Sequence, residues 1–265
     1  MRDLTERAYF LLCRALGRLL RSGRYSKARI VRRGHELRVR KHRVFYAPLL
    51  VWMGDPLMKL LATGVRILPQ REWEERERQM YRILYGTGIR IVADGTLVLP
   101  CLAGDPLAAL LENSELEESV RRNAIRLAVV ALAELHVRGI THGDAMAENV
   151  LVDLEAGVAH WFDFETIHDS SRPMVWRRAD DVRALLVTCL LRTTPEERPE
   201  TLQVILDAYS DEEVTRPLVT SFITVLRRPL AFHLGQADLP LPYFREIARL
   251  MTRRLDDQPL RMLDE

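Results

Sequence analysis

The stretch from Leu132 to Glu165 constrains this chain more than any other part of it. It begins Leu132-Ala-Glu-Leu135-His136-Val-Arg-Gly139-Ile140-Thr141-His142-Gly143-Asp144-Ala-Met146-Ala-Glu148-Asn149 and continues into Val150-Leu151-Val152-Asp153. After a short interval comes His160-Trp161-Phe162-Asp163-Phe164-Glu165. An apolar helix stripe stops at a glycine, and a polar loop carries a histidine, a carboxylate and a carboxamide. A β-like hairpin over 150–164 then ends in a second carboxylate. A compatible fold must gather these groups between a helix end and a strand end.

The rest of the chain falls into two kinds of segment. Leu4, Ala8, Leu11, Leu12, Ala15, Leu19 and Leu20 recur at helical spacing with arginines between them, and Ser22-Gly23 is a stop signal. Residues 29–53 change to β-like alternation (Leu37 and Val39, then Val44 to Tyr46, then Leu49 to Trp52), and Gly54-Asp55-Pro56 reads as a turn. The apolar run Leu57-Met58-Lys59-Leu60-Leu61 follows, then a charged helix from Arg71 to Tyr85 closed by Gly86 and Gly88. Asp94-Gly95 is a hairpin turn between strands Ile89–Val92 and Thr96–Leu99. Pro100 to Gly104 is a connector, and the chain after residue 105 is mainly helical apart from the hairpin.

A length of 265 residues suits one bilobal domain or two small ones sharing a cleft, and 48% hydrophobic residues indicate a globular core. Cys13, Cys101 and Cys189 are far apart and form no CxxC pair, so they read as reduced thiols. No apolar run reaches membrane-spanning length and the charged first residues do not resemble a secretory signal, so the expectation is a cytoplasmic protein. The net charge of +2 conceals a segregation. Residues 1–46 carry 14 Lys/Arg against three acids, a charge of +11, and the remainder carries −9. The arm is expected to meet an anionic surface, with a peripheral position at the inner face of the membrane. An alternative is a solvated helix face packed on the acidic body. The arm gives no clear nucleic-acid signal.

The pattern LHxxGIxHGDxxxxN followed by FDFE resembles the protein-kinase-like superfamily in spacing, flanking apolar residues and order. The resemblance covers roughly residues 50–190. It implies an α+β, bilobal protein-kinase-like fold with a small β-rich N-lobe over 29–102, including one helix, and a mainly helical C-lobe over 103–265. Both would follow a basic amphipathic helix over 1–28. It also implies ATP and Mg²⁺ as cofactors. Phosphoryl transfer needs an acceptor hydroxyl held in line and charge neutralised on the phosphate oxygens. By the resemblance, Asp144 is the catalytic base, Asn149 and Asp163 hold Mg²⁺, and His142 supports the loop as a scaffold. Oxygen donors suit so hard a cation. Lys59, the only lysine after Lys41, would pair with Glu77 on the following helix, although Glu74 and Glu75 leave its register open. Asp181 resembles the family aspartate that braces the catalytic loop, and an ordinary helix N-cap would also explain it. Leu97 to Leu102, including Leu99 and Cys101, resembles the strand and hinge that hold adenine.

Three departures refine the expectation. No GxGxxG loop precedes Lys59, so phosphate contacts would fall to other amides or to Arg38, Arg40 or Lys41. Met146 stands where protein kinases usually carry lysine. Glu165 replaces the DFG glycine, and only fifteen residues separate it from Asp181. These features are similar to those of aminoglycoside and choline kinase relatives, RIO-type kinases and bacterial lipopolysaccharide-core kinases. The expected activity is γ-phosphate transfer from ATP to a hydroxyl of a small-molecule, sugar or lipid-linked acceptor. The alternatives are an atypical protein Ser/Thr kinase and a catalytically weak pseudokinase acting as a nucleotide-binding module. A metal hydrolase using His142, Asp144, His160, Asp163 and His168 is a further class.

Overall fold

The computed structural model describes residues 26–34, 36–49, 51–52, 64–223, 247 and 249–251. The helix expected over 4–22 and the strand-like run 57–61, with Lys59, lie outside the described residues. The described chain is a mixed α/β structure with small antiparallel sheets and helices. No described helix is long and apolar enough to cross a membrane.

Strand alternation builds the first sheet. β1 (Ser26–Arg33) and β2 (Glu36–Arg43) pair in an antiparallel hairpin that turns at Gly34, where φ is 64°. A two-residue hairpin turn requires such a left-handed conformation. β5 (Leu97–Pro100) lies between β2 and β4 (Arg90–Ile91), giving the order β1-β2-β5-β4. The register places Val39 opposite Leu99 and Lys41 opposite Leu97. These residues share one face of the sheet. Arg38 and Arg40, which alternate with them, occupy the other.

Helix α1 (Gln70–Tyr85) buries Trp73, Glu77, Met80 and Tyr81, which follow one another at helical spacing. It ends at Gly86, whose left-handed φ of 61° is an ordinary helix stop. Leu68, Trp73, Tyr81, Leu97 and Leu99 form a core that joins α1 to the sheet. Before α1, the β-like reading of 44–52 is corrected: residues 47–49 and 51–52 are helical. Pro48 lacks an amide donor and is accommodated in a first helical turn, whereas it would interrupt a strand ladder.

The larger core lies among α2 (Leu107–Glu112), α3 (Glu118–Val137), α4 (Met174–Leu190), α5 (Arg198–Ala208) and α6 (Glu212–Ile223). Every residue of α4 from Ala179 to Leu190 is buried, the pattern of a central helix. A three-stranded sheet of β6 (Asp105–Pro106), β7 (Val150–Asp153) and β8 (Val158–Trp161) packs against α3 and realises the expected hairpin. β3 (Val65–Ile67) pairs with β9 (Thr166–His168), and the Leu68 amide donates to the Glu165 carbonyl at 2.9 Å. The segment entering α1 is thereby tied to the segment leaving Glu165.

Gly104 marks the passage from the first sheet to the helices. Its φ is 100°, and a Cβ there would stand 2.5 Å from the Val152 carbonyl carbon and 2.6 Å from its oxygen. Gly104→Ala is expected to lower unfolding stability by about 3 kcal/mol, because neither the φ nor the neighbouring backbone can yield cheaply. Chemical denaturation measures this, and a change below about 1 kcal/mol would show that the passage is not tightly packed.

Candidate functional site

The site is centred on one buried cation. Lys41, on the inner face of β2, places Nζ 2.8 Å from Glu77 Oε1, 2.5 Å from Asp163 Oδ1 and 3.5 Å from Glu165 Oε1. Glu77 therefore pairs with Lys41, whereas the expectation had paired it with Lys59, which lies outside the described residues. The physical reason is the β2 register, which points Lys41 toward α1 alongside Val39. The register question on α1 is also answered. Glu77 is fully buried on the face of Trp73 and Met80, whereas Glu75 is exposed and Glu74 half-buried. Trp73 Nε1 donates to Glu77 Oε1 at 3.3 Å, and the Trp73 ring lies under Lys41 Nζ and the Arg43 guanidinium. Burial alone would lower the Lys41 pKa. Asp163, Glu77 and Glu165 outweigh it and raise the ammonium well above its ordinary value.

Two further residues complete this cluster. Glu165 accepts a hydrogen bond from Ser26 Oγ at 2.6 Å, and Arg43 Nη2 lies 3.8 Å from its other oxygen. Burial pushes the Glu165 carboxyl up to about 7, with the Asp163 charge adding to the effect and Lys41 opposing it. Asp163 has a φ of 68°, the sole positive value among the described non-glycine residues. Aspartate tolerates that conformation better than most side chains, and strained backbone of this kind gathers at functional sites.

The loop from His142 to Asn149 carries the second group of oxygens. Asn149 Nδ2 donates to the Asp144 carbonyl at 2.8 Å and to Asp144 Oδ2 at 3.1 Å, which fixes the two side chains against each other. His142 Nε2 lies 2.9 Å from the Phe162 carbonyl, and the Asp144 amide donates to His142 Nδ1 at 3.3 Å. The amide can only donate, so Nδ1 accepts and Nε2–H is the donor to Phe162. One neutral imidazole thus links the loop carrying Asp144 to the strand end carrying Asp163. Burial lowers its pKa to about 4.

Asp181 holds the same loop from below. Its carboxylate accepts the His142 amide at 2.7 Å and the Gly143 amide at 2.9 Å, and it lies 3.1 Å from His136 Nε2. The N-cap explanation of Asp181 is not what the structure shows, because α4 begins at Met174 and the residue is fully buried within it. Asp180 beside it pairs with Arg183 at 2.6 Å and with His168 Nε2 at 3.1 Å. His168 Nδ1 in turn lies 3.0 Å from Thr141 Oγ1. Both ring nitrogens of His142 and of His168 are occupied by protein groups. His160 instead meets the Tyr85 ring edge-on at 5.6 Å. The five-residue hydrolase ligand set therefore does not converge, and among the described residues no group of three or more His, Cys, Asp or Glu forms a metal-ready cluster.

Leu99 is buried on the sheet face shared with Val39, and Cys101 is exposed one residue beyond the last paired position, Pro100. Arg38 and Arg40, considered as phosphate contacts, lie on the opposite face from Lys41. Sequence reasoning named Lys41 only as a possible phosphate contact and Glu165 only as a departure from the motif, and missed Ser26 and Arg43 altogether. The alternation in Glu36–Arg43, which pairs Lys41 with Val39, was the available signal, and the neighbouring cations obscured it. No protein-family model matches the chain, and no curated protein matches it significantly.

A neutral, buried His142 has a consequence for pH. Its folded pKa lies below the unfolded value, so the unfolded state binds the proton first as pH falls. Its contribution is fully present above about pH 6.5 and is lost as pH falls toward about 4, a span worth about 3 kcal/mol. Relative to His142→Asn, the wild type is expected to lose stability across that window and to run parallel to the variant above it. Denaturant melts at intervals from pH 4 to pH 8 test this, and a constant difference would contradict a neutral His142.

Proposed function

We propose that this chain is an ATP- and Mg²⁺-dependent phosphotransferase of bilobal, protein-kinase-like architecture. The first sheet with α1 would be the small lobe and the helical part the large one. The observation that carries the reading is the convergence of Lys41, Glu77 and Asp163, linked through His142 to the loop bearing Asp144 and Asn149. Lysine held by a helix glutamate is the arrangement needed to receive α- and β-phosphates. Lys41, rather than Lys59, takes that role.

The donor set fits the implied cation. Asp163, Asn149 and Asp144 offer carboxylate and carboxamide oxygens, the chemistry preferred by Mg²⁺. The buried Glu77 Oε2 has no hydrogen-bond partner among the described residues, which leaves one carboxylate oxygen of the cluster unused. Asn149 and Asp163 would hold the ion, which would neutralise phosphate charge. Asp144 is half-buried and fixed by Asn149, so it can orient an acceptor hydroxyl and take its proton as the oxygen attacks. Asp181 keeps the loop backbone in place without touching the reactants. Leu99 would line the adenine side of the cleft, and the Cys101 backbone lies at its hinge.

The segment after Glu165 supports a small-molecule, sugar or lipid-linked acceptor. β9 takes up Thr166–His168, and α4 starts at Met174, so no long peptide-positioning loop intervenes. Asp144→Ala and Lys41→Ala are each expected to lower Mg²⁺-dependent ADP release, assayed with a panel of hydroxyl acceptors, by about 100-fold or more. Lys59→Ala is expected to retain activity. Unchanged turnover in a folded Asp144→Ala protein would end the assignment. ATP binding without any turnover in the wild type would instead support a nucleotide-binding regulatory module.

A further inference from the structure

The face of the β1-β2-β5-β4 sheet turned away from Lys41 is cationic. Cross-strand register sets Lys27 opposite His42, Arg29 opposite Arg40, and Arg40 opposite Val98, which also faces Arg90. Cations from three strands thus stand on one surface, and like charges directly opposite each other cost stability. Lys27, Arg29, Arg40 and Arg90 are exposed, and among the described residues none of them meets a carboxylate at ion-pair distance. The acids nearby are Glu36, which pairs with Arg38 at 2.7 Å, and Asp94 in the β4–β5 turn, which feels the Arg40 charge. A concavity of about 940 Å³ lies over this face, with Arg38, Arg40 and Arg90 around Val31 and Val98.

A second feature adjoins the first in the chain. Immediately after β2, Phe45 is 94% exposed, Trp52 74% and Leu49 57%. Large apolar side chains so fully in water are costly unless something covers them. A cationic strand face followed directly in the chain by exposed aromatic and aliphatic groups matches the chemistry of a phospholipid interface, with its anionic headgroups and its acyl boundary. The lining of the concavity contains no aromatic ring, so it provides no platform on which bases could stack.

We propose that the outer face of this sheet, together with Phe45, Leu49 and Trp52, is a docking surface for a bilayer containing anionic phospholipid. The inference does not depend on phosphotransfer, because none of these residues belongs to the Lys41 cluster or the Asp144 loop.

The test is vesicle flotation of the full chain with phosphatidylcholine alone and with added phosphatidylglycerol. Wild type is expected to float only with the anionic vesicles and to be released by salt. Arg29→Gln/Arg40→Gln/Arg90→Gln is expected to weaken binding by at least about tenfold. Phe45→Ser/Trp52→Ser is expected to weaken it while leaving its salt dependence in place. The arginine variant should melt at or slightly above the wild-type temperature, because it removes like charges that face each other, and the Phe45/Trp52 variant should keep it. All variants should retain wild-type ADP release in solution, which separates this proposal from the phosphotransfer reading. Equal flotation with neutral vesicles, no flotation at all, or retention on nucleic acid without flotation would each overturn it.

Discussion

One ammonium group organises the site. Lys41 of β2 lies among Glu77 of α1 and Asp163 and Glu165 of the turn after β8, three separate parts of the chain that no single secondary-structure element could bring together. Burying a carboxylate such as Glu77 is tolerable only with a close cation and a hydrogen-bond donor, which Lys41 and Trp73 supply. The position of α1 against β2 and the strained turn at Asp163 are thus coupled. Displacing any one of them leaves a buried charge unpaired. The β3–β9 pairing and the Leu68–Glu165 backbone bond make the arrangement stiffer, because they fix α1 and the 163–165 turn to each other.

A second buried network supports the first. α4 would be an ordinary core helix but for Asp180, Asp181 and Arg183 near its centre. Asp180 and Arg183 neutralise each other, and Asp181 uses its oxygens on two loop amides and a histidine. A carboxylate satisfied by backbone donors fixes a loop without relying on the loop's own side chains. The loop is then free to present Asp144 and Asn149. His142 passes this order on to the Phe162 carbonyl, next to Asp163.

The two faces of the first sheet have different consequences because a strand's side chains alternate. The inner face of β2 contributes Val39 and Lys41 to a core and an ion cluster, and the outer face contributes Arg38, Arg40 and His42 to a cationic surface. The same eight residues therefore serve both. A shift of the strand by one position would exchange the faces and bury arginine where Lys41 now pairs with Glu77.

Much of this was legible in the chain alone. The α1 helix, the Asp94-Gly95 hairpin, the strands after Asn149 and the polar loop follow from local periodicity and turn chemistry, which act between near neighbours. Asp144 and Asn149, five residues apart, could be grouped for the same reason. Lys41 could not. Its partners are 36 and 122 residues away, and local pattern favoured the more apolar surroundings of Lys59. The Val44–Trp52 stretch looked β-like because apolar content alone does not separate short strands from short helices, and Pro48 suits the helical turn. The motif from Leu132 to Glu165 thus specified the loop and turn groups, Asp144, Asn149 and Asp163, that the chain brings to its site. The tertiary structure decided which lysine meets them, since only strand register and helix packing select one cation among many.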